Sequence, residues 1–201
     1  MDILIKEVQS EETIKGSRFL SELIPCNSQS SAREIIKSQK TKYADATHVV
    51  HAFVIGSAGE IMGMSDDGEP SGTAGRPVLD VLKGRKCTNT LLTVTRCFGG
   101  TLLGTGGLVK AYSGGAKSVI EKANSENAFE ELVSKVPFSF SVDYSTYKIV
   151  KNAMENFHIY DLKEDFATEI NIKGQIREDE SQFFAEKLLD LSNGKITVLL
   201  N

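Results

Sequence analysis

The apolar residues of this chain follow two periods, two and about 3.6, and the alternation between them closes near Lys122 and restarts at Val136. Each change of period marks a passage between strand and helix. A chain that intersperses the two can bury its apolar faces only by packing helices on sheets, and two closed rounds imply two such layers. We therefore expect an α+β protein of two domains, residues 1–124 and 128–201, joined through the polar stretch 123–127. Charge divides at the same place. Residues 1–127 hold 15 Lys and Arg against 14 Asp and Glu, whereas residues 128–201 hold 8 against 13.

In the first round, residues 16–24 read as a strand. Residues 31–42 read as a helix opened by the capping box Ser31-x-x-Glu34, with Ala32, Ile35, Ile36 and Gln39 on one face. THVVHAFVIG at 47–56 is apolar on both faces, as in a central strand covered on two sides. A short helix over 76–83, a strand over 90–96 and a helix over 106–122 complete this half. In the second round Val136, Phe138, Phe140 and Val142 alternate with polar residues, and a helix carrying Tyr147, Val150, Met154 and Phe157 follows a Ser145 cap. Strands at 158–162 and 166–173, a helix at 178–192 and a strand at 195–200 give the order βαββαβ, the ferredoxin-like unit.

Two glycine-rich loops of the first round can carry chemistry. SDDGEPSGTAG at 65–75 places Asp66, Asp67, Glu69, Ser71, Gly72 and Thr73 between a strand and the helix opened by Arg76. Such a loop turns tightly and presents backbone N–H groups, and its carboxylates are of the kind that hold Mg²⁺ beside a phosphate. A solvated turn in which Asp and Ser bond their own backbone is the plainer alternative. RCFGGTLLGTGG at 96–107 carries Arg96, Gly99, Gly100, Gly104, Gly106 and Gly107 into the positive end of the next helix, where an anion is favoured. Here too the glycines can serve only to turn the chain.

Other motifs are absent. Gly104-x-Gly106 is followed by Val109 where a dinucleotide fingerprint needs its third glycine, and no GxxxxGK[ST] occurs. Ser71 lies in GEPSG and makes no nucleophile elbow. His48 and His51, three apart on a strand, point to opposite faces and cannot share a metal. Cys26, Cys87 and Cys97 have no CxxC spacing, which suits apolar sites in a reducing compartment. The acidic start and the absence of any apolar run near ~18 residues imply neither signal peptide nor membrane span, so a cytoplasmic protein is expected.

K-G-S-R-F at 15–19, D-A-T-H at 45–48, D-D-G-E-P-S-G-T-A-G-R-P at 66–77 and T-R-C-F-G-G-T-L-L-G-T-G-G-L-V-K-A-Y-S at 95–113 together resemble the IMPACT/YigZ family over almost the whole length. Cys97 and His51 depart from it, standing where the family usually has tyrosine and an aromatic residue. The resemblance implies a first domain like the second domain of small-subunit ribosomal protein five and a ferredoxin-like second domain, together similar to domains IV and V of elongation factor G. It also implies contact with the ribosome or structured RNA. Eukaryotic relatives restrain the amino-acid-starvation kinase and carry an additional RWD domain. The chain begins directly at the shared region, as in bacterial-type members, so kinase restraint is not carried over. The leading expectation is a translation-associated regulatory binding protein that uses Arg18, His48, Arg76, Arg96, Lys110 and the loop N–H groups to hold phosphate, with no cofactor. The rivals are an enzyme on a phosphorylated small molecule, with Mg²⁺ or a base at Asp66, Asp67 or Glu69, and a module that binds a regulatory protein partner.

Overall fold

The computed structural model describes residues 1–200. The chain forms two compact units, Met1–Leu132 and Val133–Asn201. The first unit is built on a five-stranded antiparallel sheet in the order β2 (Val8–Ile14), β3 (Ser17–Pro25), β7 (Thr90–Cys97), β4 (His48–Ile55), β5 (Ile61–Ser65). Alternate residues of the three inner strands pack on different layers, which is why 47–56 is apolar throughout. Phe19, Leu23, Val50, Ala52, Leu92 and Val94 share a core with α2 (Gly75–Gly84) and α3 (Gly104–Ser125). On the other face Leu91 and Ile55 meet Ala32 of α1 (Gln29–Lys42). A small sheet, β6 (Cys87–Thr88), β1 (Asp2–Leu4), β8 (Phe129–Glu131), ties the beginning and end of the unit together.

That last pairing moves the boundary. α3 continues to Ser125, Ala128 N–H donates to Ala123 O, and Phe129–Glu131 pairs with Asp2–Leu4. Residues 128–132 thus belong with the first unit, and the polar run read as a linker is the end of a helix and its turn. Charged strands account for most of what the sequence concealed: β2 (VQSEETI) and β8 (FEE) lie at sheet edges, β2 exposing alternate residues and β8 both of its glutamates.

The second unit has the expected βαββαβ order: β9 (Lys135–Val142), α4 (Tyr144–Met154), β10 (Ile159–Phe166), β11 (Ile170–Arg177), α5 (Glu178–Leu191), β12 (Leu199–Leu200). Its sheet runs β10-β11-β9-β12, over a core of Phe138, Phe140, Val150, Ile172, Phe184 and Leu188.

Local positions differ from the expectation for identifiable reasons. Phe166 ends β10 opposite Ile170 and does not open β11, and the turn falls at 167–169. Lys163 and Asp165 are exposed while Glu164 turns to Tyr147 and Lys151 of α4, and a register shift between Tyr160 and Lys163, with Asp161 at φ 51°, absorbs the extra residue. Only Leu199–Leu200 of the last expected strand pairs with β9. Helix caps also shift. Ser28 Oγ caps α1 by accepting from Ser31 N–H at 3.1 Å, and Asp143 caps α4 by accepting from Thr146 N–H at 2.7 Å. Ser145 instead donates to Asp143.

Candidate functional site

Both glycine-rich loops leave the same end of the five-stranded sheet, one after β5 and one after β7. The first closes upon its own acids. Asp66 accepts from the N–H groups of Gly72 (2.9 Å), Ala74 (3.1 Å) and Gly75 (2.7 Å), so its carboxylate caps the start of α2 from eight and nine residues upstream. Although burial pushes Asp66 upward, these N–H groups hold its pKa below the ordinary value. Gly75 is required here, because a Cβ would lie 2.7 Å from the Ser65 carbonyl.

Asp67 adopts φ 47° and turns its carboxylate to the Val49 N–H (2.7 Å) and to Lys40 of α1. Burial raises its pKa, but Lys40 and the Val49 N–H outweigh that and the net direction is down. The Asp67 carbonyl lies 2.8 Å from His48 Nδ1. A carbonyl only accepts, so His48 Nδ1 is the donor in this contact, and Nε2 lies 3.8 Å from Glu69 Oε1.

Glu69 joins the two loops. Its Oε1 accepts from Arg96 Nη1 at 2.6 Å and from Tyr112 Oη at 2.7 Å. The Glu69 and Arg96 side chains are 3% and 6% exposed, and Tyr112 is wholly buried. Burial, followed by the Glu69 hydrogen bond, pushes the Tyr112 pKa far up, so the phenol remains a neutral donor. Arg96 Nη2 reaches Ser17 Oγ at 3.4 Å, and the guanidinium carbon lies 5.6 Å from the Phe19 ring centre and 5.5 Å from that of Phe98. The second loop is pinned to the turn before β3: Gly99 N–H donates to Ser17 Oγ at 3.2 Å, and a Cβ on Gly99 would lie 1.9 Å from the Gly16 carbonyl carbon.

The expected site residues divide accordingly. His48, Asp67, Glu69 and Arg96 form one network; Asp66 and Thr73 are spent within the first loop, Thr73 Oγ donating to Pro70 O. The acids read as candidates to hold Mg²⁺ beside a phosphate are turned inward, and Arg96, expected on phosphate, is a buried partner of Glu69. Arg18 lies on the opposite face of the sheet, beside Cys97 and Glu11. Arg76 is exposed and holds Asp80 through Nε at 2.9 Å and 3.0 Å. Ser71, Gly72, Gly99, Gly100, Gly104, Gly106 and Lys110 are exposed and Gly107 is half-buried, and of these glycines only Gly99 and Gly107 leave no room for a Cβ without crowding a neighbour. Sequence reasoning missed Ser17, Lys40 and the hydroxyl of Tyr112. Tyr112 was legible only as an apolar position at helical spacing, and the burial of an acid opposite it had no signal of its own.

α3 opens with no side-chain cap, its N-cap residue being Leu103. Around that opening Phe98 is 46% and Leu102 83% exposed. Among the described residues no group of three or more His, Cys, Asp or Glu is arranged to hold a metal ion, and no helix is long and apolar enough to cross a membrane.

A sheet unit whose two glycine-rich loops are locked through a buried Glu–Arg–Tyr network, at 15–120, is what the Impact N-terminal domain model matches. The chain belongs to the IMPACT family. It is 35% identical over 192 residues to the IMPACT family member YvyE of Bacillus subtilis (strain 168), covering 95% of this chain and 87% of that protein. It is 30% identical over 193 residues to the IMPACT family member YigZ of Escherichia coli (strain K12), covering 94% and 91%. Among solved structures, a crystal structure of a hypothetical protein is similar at 29% identity and a TM-score of 0.68, covering 98% of this chain and 95% of that one.

Proposed function

We propose that this protein is a translation-associated regulatory binding protein that holds a phosphate-bearing ligand, ribosomal or other structured RNA, at the opening of α3. One observation carries the ligand reading. Gly106 is exposed, has ordinary helical φ, and a Cβ there would meet nothing within 4 Å. Glycine in a helix is destabilising by roughly 0.5–1 kcal/mol relative to alanine, and here neither packing nor backbone conformation inside the chain requires it. An approaching ligand supplies a reason for it, because a missing Cβ lets an anion come closer to the first N–H groups of the helix. Lys110, one turn further along α3, adds a mobile cation, and exposed Phe98 offers a face on which a base can stack.

The translation part of this reading rests on family membership; the likeness to domains IV and V of elongation factor G that the sequence resemblance implies would add only a fold-level argument. The engagement of all three loop acids favours binding over Mg²⁺ chemistry, since a metal would have to displace the N–H groups on Asp66, Lys40 on Asp67 or Arg96 on Glu69. Leu102, at 83% exposure, favours a regulatory protein partner as the second reading.

Titration of structured RNA into the full chain at several salt concentrations tests the proposal. Log K is expected to fall by roughly 0.7–0.9 per log unit of salt for each phosphate neutralised. Gly106→Ala should weaken binding while Tm holds or rises, and Lys110→Ala should flatten the salt slope by about one phosphate. No binding at low salt, or Gly106→Ala binding as tightly as wild type, would refute it.

A further inference from the structure

The face of the large sheet away from α2 and α3 carries a polar row that the site above does not use. Glu22 on β3 and His51 on β4 both stand opposite Thr93 on β7, so the three side chains lie abreast, with Thr95 two residues along. α1 roofs them. Its first half packs dry, with Ala32, Ile35 and Ile36 against Cys26, Ile55, Leu91 and Phe53. Its last turn is bracketed by polar anchors: Lys42 Nζ and Tyr43 Oη each lie 3.0 Å from Glu22 Oε1, and Lys40 holds Asp67. Gln39, one turn before Tyr43, is with Ala32 one of the two buried residues of α1.

Five buried atoms in this layer have no hydrogen-bond partner: Glu22 Oε2, Gln39 Oε1, His51 Nδ1, Thr93 Oγ1 and Thr95 Oγ1. Thr93 is 0%, Thr95 2%, Glu22 6% and Gln39 7% exposed. Each unpaired buried group carries a desolvation penalty, and five in the layer between α1 and one face of the sheet could not all be left unmet in a stable fold. We propose that α1 and the sheet enclose a chamber of ordered water that bridges Glu22, Gln39, His51, Thr93 and Thr95. Every one of the five can accept a hydrogen bond, so the guest must bring donors. Glu22 is already neutralised by Lys42 and Asp67 by Lys40, so the guest is neutral. Water meets both conditions and needs only two to four polar partners.

The full chain tests this in two ways. Oxygen-17 magnetic relaxation dispersion, or a high-resolution crystal structure, should show long-lived waters against Thr93 and Glu22; a dry layer overturns the proposal. Thr93→Val is nearly isosteric and gives a signed answer. If the hydroxyl binds water, valine leaves that water short of a partner, removes long-lived water signal and lowers Tm by about 3–6 °C. If the layer is dry, valine removes an unpaired group, Tm rises and the chamber is refuted. Thr93→Ser, which keeps the hydroxyl, should retain the water signal, and its loss there also overturns the assignment.

Discussion

Replacing Glu69 by glutamine removes one charge and almost no volume from the junction of the two loops. Arg96 then keeps its charge at 5% exposure, with Ser17 Oγ at 3.4 Å as its remaining side-chain acceptor and its Nε unpartnered. Breaking a buried pair from one side is destabilising by about 3–5 kcal/mol, because the charge left behind is uncompensated. The amide oxygen can still accept from Tyr112, so that bond adds little. For a unit of this size 1 kcal/mol moves Tm by roughly 3–5 °C, which places the expected fall on the order of 10–20 °C. Thermal and urea unfolding of Glu69→Gln, Arg96→Met and the double variant measure it. The double variant leaves no orphan charge and should recover most of the loss, giving a coupling of about 2–4 kcal/mol. A single-variant loss below about 1 kcal/mol, or strictly additive effects, would refute the view that this pair locks the loops.

The other expectations concern acid stability, close packing and the unit boundary. Asp66 and Asp67 have folded pKa values below the ordinary 3.8, so their stabilisation is present above about pH 4 and is lost as pH falls through their folded values; Asp66→Asn should flatten the acid limb of Tm between pH 5 and 2, and an unchanged limb would count against it. Gly99→Ala drives a Cβ to within 1.9 Å of the Gly16 backbone and should lower Tm by several degrees, whereas the same change at Gly106 should not; equal effects would sink the distinction between packing and approach glycines. A fragment of residues 1–132 should melt cooperatively, while 1–124 loses β8 and the Phe129 ring that lies 4.2 Å from the Arg85 guanidinium; comparable melts for the two fragments would restore the earlier boundary.

Where periodicity was strong, the chain could be read directly. The helix over 106–122 and the strands over 47–56 and 90–96 lie within two residues of α3, β4 and β7 at all but the α3 C-terminus, because each buries a face in its own period. The loops were legible as places, since clustered glycines and acids between a strand and a helix have few other uses. Edge strands β2 and β8 and the end of β10 were not, because a half-exposed strand tolerates charge and its pairing partner lies far along the chain.

By itself the sequence determined the α+β alternation, the two rounds of it, the family and the glycine-rich strings, all properties of local spacing and residue type. Only the tertiary structure decided which way the charges in those strings face. Glu69 lies 27 residues from Arg96 and 43 from Tyr112, yet the three meet in the interior, and Arg18 and Arg96, both strand residues near the same loop, fall on opposite sides of the sheet. Whether a carboxylate is a rim for a ligand or a rivet for the fold depends on the groups within about 3 Å of it, and those are brought together by strand register and helix packing, not by neighbourhood along the chain.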